Sequence, residues 1–128
     1  MINKRVLIVD DEPDVNLTLK MVLEENGFKV DSFTDPLLAL ENFKGESGLY
    51  DMLIVDIRMP DMNGFELYRE IKKIDNKVKI CFLTAAEMDY NQFGKELFPP
   101  ALDENCFIQK PIQNETLIKR LNTIINTK

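Results

Sequence analysis

The residues of this chain best equipped for chemistry are Asp10-Asp11-Glu12, Asp56, Thr84 and Lys110, and each follows an apolar run. Val6-Leu7-Ile8-Val9 leads into the first group, Met52–Val55 into Asp56, Val78–Leu83 into Thr84, and Cys106–Gln109 into Lys110. Such runs read as buried parallel strands, and in an open parallel sheet sites form just outside the strands' carboxyl ends. Carboxylates gathered there repel one another, so one takes a proton or a cation joins them. A hard, oxygen-rich site with few protein ligands suits Mg²⁺, which keeps waters and accepts a substrate phosphate. A carboxylate is also a nucleophile that can form an aspartyl phosphate. Phosphoryl transfer mainly requires positioning and neutralisation of the equatorial oxygens, for which Mg²⁺, the Lys110 ammonium and the Thr84 hydroxyl are suited. The chemistry implied is acceptance of a phosphoryl group.

Each residue also has a plainer reading. The acidic triplet before a helix complements its N-terminal dipole. Asp56 serves equally as a loop cap, Thr84 as a turn hydroxyl and Lys110 as a solvated surface charge. Their arrival together, in order and at strand ends, favours the chemical reading.

The elements that must position them alternate along the chain. Arg5–Val9 is the first strand, followed by a helix that Pro13 opens and Asn26-Gly27 stops, with Val15, Leu19, Val22 and Leu23 at core spacing. Residues 28–33 alternate, with Phe28 and Val30 against Lys29 and Asp31, as an edge strand with one wet face does. Asp35 caps a helix beginning at Pro36 and burying Ala39, Leu40 and Phe43; residues 45–48 read as a loop. Gly64 opens a helix carrying Leu67, Ile71 and Ile74, its glycine read as serving backbone geometry. Tyr90, Phe93 and Leu97 mark a helix that Pro99-Pro100 ends. Asn114 is expected to cap the last helix, with Leu117, Leu121, Ile124 and Ile125 inward.

Composition narrows the function classes. The 128 residues suit one domain, residues 1–128, and 45% hydrophobic content supplies a core. With 16 basic and 22 acidic residues the net charge is −6, and no basic cluster exceeds a pair, which disfavours direct nucleic-acid binding. Nothing approaches a membrane span or a signal-peptide core, so a soluble, cytoplasmic protein is expected. Cys81 and Cys106 read as small buried hydrophobes, not a bridge, in keeping with a reducing compartment.

Four motifs make the reading specific. Leu7-Ile8-Val9-Asp10-Asp11-Glu12, the run Asp56-Ile57-Arg58-Met59-Pro60-Asp61-Met62-Asn63-Gly64, Thr84-Ala85-Ala86 and Lys110-Pro111 together resemble the receiver domain of two-component response regulators, of the chemotaxis-regulator kind. The resemblance covers essentially the whole chain. It implies an α/β, flavodoxin-like doubly wound (βα)5 three-layer sandwich with parallel strand order 2-1-3-4-5. It further implies that Asp56 accepts a phosphoryl group from a sensor histidine kinase or phosphotransfer protein. Mg²⁺ would be held by Asp11, Asp56 and the backbone carbonyl of Arg58, with Asp10 in support. Lys110 would pair with Asp56 and then with the phosphoryl group. Thr84 and Phe107 would be the switch residues, Arg58 and Ala86 would tune the lifetime of the phosphorylated state, and the Lys110–Pro111 bond would be cis. The signal would emerge on the face made by the Tyr90–Leu97 helix and the last strand.

Residues 87–105 depart from the family pattern, being longer and lacking a Gly-Ala step before the last strand. They are expected to be the most mobile part of the chain and a partner surface peculiar to it. Two other readings stand beside this one. A small Asp-nucleophile phosphatase would want a second acid two residues after the nucleophile, where this chain has Arg58. A receiver-shaped binding module that never takes up phosphoryl would have no need of the full acidic set and Lys110.

Overall fold

A computed structural model of the chain describes residues 4–46, 48–84, 106–110 and 113–126. Five strands, β1 (Arg5–Val9), β2 (Lys29–Phe33), β3 (Met52–Asp56), β4 (Lys79–Thr84) and β5 (Phe107–Gln109), pair in parallel in the order β2-β1-β3-β4-β5. The helices are α1 (Pro13–Glu25), α2 (Pro36–Gly45), α3 (Gly64–Ile74) and α4 (Asn114–Asn126). The expected helix of Tyr90, Phe93 and Leu97, the whole of residues 87–105, Ala85, Ala86 and the Lys110–Pro111 bond lie outside the described residues.

The three central strands are apolar without alternation because both faces are covered. Val6, Ile8, Met52, Ile54, Cys81 and Leu83 point toward α1 and α4, meeting Leu19, Leu23, Leu117 and Leu121. Leu7, Val9, Leu53, Val55, Ile80 and Phe82 point toward α2 and α3, meeting Leu40, Phe43, Leu67 and Ile71. The result is the three-layer sandwich expected. β2 is an edge strand, and its half-wet face shows in the exposed Lys29 beside the buried Val30.

Turn chemistry sets the entry to each unit. Asp35 takes the α2 N-cap, its side chain accepting the Leu37 N–H at 2.9 Å. Gly27, at φ 90°, ends α1, with the Phe28 N–H returning to the Leu23 carbonyl at 3.1 Å.

Several boundaries differ from the sequence reading. Strands β2, β4 and β5 begin one residue later than predicted, and β4 runs on through Thr84. Helix α2 continues through Gly45, which had read as loop. Asn114 is the first residue of α4 instead of its cap; the preceding Gln113 carbonyl accepts the Leu117 N–H at 2.9 Å. Val15, Ile125 and Cys106 are half-buried, because each sits at the margin of its layer and not under it.

Candidate functional site

The parallel register carries the candidate residues to one end of the sheet. Val9 pairs with Val55, so Asp10 and Asp56 emerge side by side from β1 and β3; Asp56 pairs with Leu83, next to Thr84, and Thr84 pairs with Gln109, next to Lys110. The Lys110 N–H donates to the Thr84 carbonyl at 2.7 Å, extending the β4–β5 ladder to the site. Carboxylate oxygens of Asp10, Asp11 and Asp56 all lie within 4.8 Å of one another.

Within this cluster the three acids are not equivalent. Asp10 is fully buried, its Oδ1 accepting the Glu12 N–H at 2.9 Å and its Oδ2 lying 2.7 Å from Lys110 Nζ. Asp11 is half-buried. Asp56 is buried, with Oδ2 3.5 Å from Lys110 Nζ. Lys110 is thus shared: its short contact is with Asp10, and Asp56 and Glu12 each stand 3.5 Å away. The sequence had paired it with Asp56 alone.

The electrostatics follow. Burial, reinforced by the Asp10 charge and opposed by the Lys110 ammonium, pushes the Asp56 carboxyl up to about 7. The surrounding carboxylates hold Lys110 above its usual range although its own burial works the other way. One ammonium cannot neutralise three carboxylates. A hard oxygen donor set with excess negative charge fits a divalent cation such as Mg²⁺, which Asp11 and Asp56 could hold while Asp10 keeps its short contact with Lys110.

The loop after β3 is held tightly. Met62 N–H donates to the Pro60 carbonyl at 2.7 Å across Asp61, whose φ of 69° lies in the left-handed region. Such a three-residue turn is uncommon and strained, and strain of this kind collects at functional loops. Met59 and Met62 pack against the core. A reciprocal capping box follows, Asn63 accepting from the Glu66 N–H at 2.9 Å and Glu66 from the Asn63 N–H at 3.0 Å. Arg58 is exposed.

Gly64 has a different purpose from the one expected. It does not adopt a left-handed φ; instead, a Cβ there would fall 2.5 Å from the Asp56 carbonyl oxygen. The start of α3 presses on the backbone of the candidate nucleophile, and the Gly64 N–H donates to the Ile57 carbonyl at 2.8 Å. Close approach, not backbone freedom, demands glycine here.

Phe107 turns inward on the α3 side. Its ring stacks on Phe82 at 5.4 Å between centroids and lies 6.4 Å from Phe65, while its carbonyl accepts from Arg120 at 3.0 Å. Thr84 is half-buried at the end of β4, beside this aromatic group. A depression of about 760 Å³, lined by residues including Lys4, Asp51, Lys72, Lys79 and Ile125, lies at the opposite ends of the strands and contains none of these residues. Among the described residues no helix is long and apolar enough to cross a membrane.

Asn16 is the site neighbour that the sequence reading missed. It is buried on α1, with its side-chain amide donating to the Asp10 and Phe33 carbonyls. The signal was present, since residue 16 continues the inward 19/23 stripe of that helix with a polar side chain.

A parallel sheet in this order, with acidic strand ends facing a lysine, defines a receiver-type α/β protein. The chain belongs to the response regulator receiver domain family, whose model matches residues 6–122. A CpxR homolog described as a transcriptional regulatory protein, from Haemophilus influenzae, is 34% identical across 94% of this chain. This chain spans 50% of that relative's length. Sporulation initiation phosphotransferase F of Bacillus subtilis is 32% identical, over 76% of this chain and 77% of its own length. Among solved structures, the response regulator TrrA of Thermotoga maritima, in complex with Mg(2+)-BeF, matches with a TM-score of 0.77 at 33% identity. That match covers 94% of this chain and 98% of the other.

Proposed function

We propose that this chain is the phosphoryl-receiving switch of a two-component system, with Asp56 as acceptor. The observation that carries this reading is a buried Asp56 carboxylate within 4.8 Å of two further carboxylates and 3.5 Å from Lys110, at the carboxyl end of a central strand. An Asp56 oxygen attacks the phosphorus of a phosphohistidine on a sensor histidine kinase or phosphotransfer protein. The new O–P bond forms as the N–P bond breaks, and the imidazole leaves with the electron pair.

Asp11, Asp56 and the Arg58 carbonyl would hold Mg²⁺, which when bound supplies charge neutralisation for the equatorial oxygens. Lys110, released from part of its debt to Asp56, bonds the transferred group, and Thr84 donates its hydroxyl. Phe107 and β4 carry the change outward, because the added charge and acceptor oxygens bias a two-state arrangement of that edge. Reversing such an equilibrium from 1:99 to 99:1 takes roughly 5.5 kcal/mol, a demand that a few charge-assisted hydrogen bonds largely meet. Water later attacks the phosphorus of phospho-Asp56, breaking the Asp56 O–P bond and releasing inorganic phosphate, and the family resemblance makes Arg58 and Ala86 the residues that tune this rate.

The test is intact-mass measurement after incubation with acetyl phosphate, with and without Mg²⁺, on wild type and Asp56→Asn. One phosphoryl adduct that needs both Mg²⁺ and Asp56 is expected. An adduct persisting on Asp56→Asn sinks the assignment, no uptake at all favours a receiver-shaped binding module, and steady turnover of phosphate esters favours a phosphatase.

A further inference from the structure

Asp10, Asn16 and Asp56 are the buried polar residues among the described part of the chain. Asp10 and Asp56 belong to the acidic cluster. Asn16 touches neither a cation nor a phosphoryl group in the reading above, yet it sits on α1 with only 4% of its surface exposed. A buried amide needs a reason, since its polar atoms lose water.

Its hydrogen bonds supply that reason. Asn16 Nδ2 donates to the Asp10 carbonyl at 2.8 Å and to the Phe33 carbonyl at 2.9 Å. These carbonyls lie where the β1–β2 ladder runs out, its last register pair being Val9 with Phe33. The Asp10 N–H also donates to Phe33, at 3.1 Å. Asn16 therefore closes the end of the ladder. Its Oδ1 has no partner among the described residues. The residue is kept for its two donors, at the expense of its acceptor.

The consequence falls on Asp10. Its N–H, its carbonyl and its Oδ1 are held by Phe33, Asn16 and Glu12, and its Oδ2 by Lys110. We infer that Asn16 is a positioning residue of the acidic site, clamping the Asp10 backbone so that its carboxylate stays on Lys110 while Asp11 and Asp56 face the divalent cation. This role rests on reading the acidic cluster as a Mg²⁺ site. Outer partners that orient ligands in this way typically alter metal affinity by about 10- to 100-fold.

Asn16→Leu tests it, because leucine is close in size, removes both donors and also removes the unpartnered oxygen. Mg²⁺ binding by isothermal calorimetry should show a dissociation constant raised roughly tenfold. The melting temperature without Mg²⁺ should fall by a few degrees, since the buried Asp10 and Phe33 carbonyls each lose a donor; the loss of Mg²⁺ affinity is the readout that a merely structural role would not move. Lowered melting with unaltered Mg²⁺ affinity marks a residue that merely holds the core together, and that result overturns the proposal. Asn16→Ser, too short to reach both carbonyls, should weaken Mg²⁺ binding similarly and serves if the leucine variant does not fold. Wild-type affinity in whichever variant folds refutes the positioning role alone. Absence of Mg²⁺ binding by the wild type refutes the cation site itself, and this role with it.

Discussion

A Cβ on Gly64 would lie 2.5 Å from the carbonyl oxygen of Asp56, a distance no real methyl tolerates. The first turn of α3 and the candidate nucleophile are therefore in direct backbone contact. Gly64→Ala should push the α3 start away from β3, at about 1–3 kcal/mol in stability, the usual range for overpacking. Urea unfolding measures this, and acetyl-phosphate uptake should fall in parallel because the Asp56 backbone moves. A variant as stable as wild type would show that the loop yields freely.

The Asp56 carboxyl, raised to about 7 by burial and by Asp10, ties stability to pH. The native state binds a proton more tightly than the unfolded chain, where the group titrates near 3.8. Stability from this group is complete below pH 3.8 and is lost as pH rises through about 7. At pH 8 in chelator, Asp56→Asn should exceed wild type by about 2 kcal/mol. At pH 5 the gap should be less than half as large, closing only below pH 3.8, and Mg²⁺ should close it at pH 8. Equal stability of the two proteins at pH 8 without Mg²⁺ would contradict the burial cost.

Lys110 is the counter-charge of a fully buried Asp10 at 2.7 Å. Lys110→Ala strands that carboxylate, and breaking such a pair typically costs about 3–5 kcal/mol. Unfolding in denaturant at pH 7 reads this directly. Lys110→Ala Asp10→Asn should recover part of the loss, and a double variant no better than the single one would argue against the pairing.

Thr84 and Phe107 should govern response more than acceptance. Both stand at the β4–β5 edge, and neither is the nucleophile. Thr84→Ala should still form an adduct on Asp56. With beryllofluoride, however, its amide shifts along β4 and β5 should be smaller than in wild type. A full wild-type response would remove Thr84 from the coupling.

The decay of phospho-Asp56 should depend on Arg58, which is exposed beside the acceptor, and on Ala86. Loss of the adduct over time, followed by mass, should change several-fold when Arg58→Ala and Ala86→Ser are combined. An unchanged lifetime would place water access elsewhere.

The chain's own pattern determined the architecture and the candidate acceptor motif. Four-residue apolar runs such as Val6–Val9 can be buried only between two helical layers, and the residues that follow them must emerge at one end of the sheet. The Asp56–Gly64 motif is contiguous, so it was legible without knowing what it touches. Tertiary structure decided what depends on distance through space. Lys110 lies nearer Asp10 than Asp56, at 2.7 against 3.5 Å, although β3 stands between β1 and β5, a fact no local window contains. Asn16 reads as one more polar helix residue until β1 and β2 bring the Asp10 and Phe33 carbonyls over it. Gly64 reads only as serving backbone geometry at a helix start until α3 is docked and leaves no room for a methyl group above Asp56. Spacing encodes which residues arrive at a site; only the packed backbone sets which of them share a proton, a cation or a carbonyl, because those energies turn on fractions of an ångström.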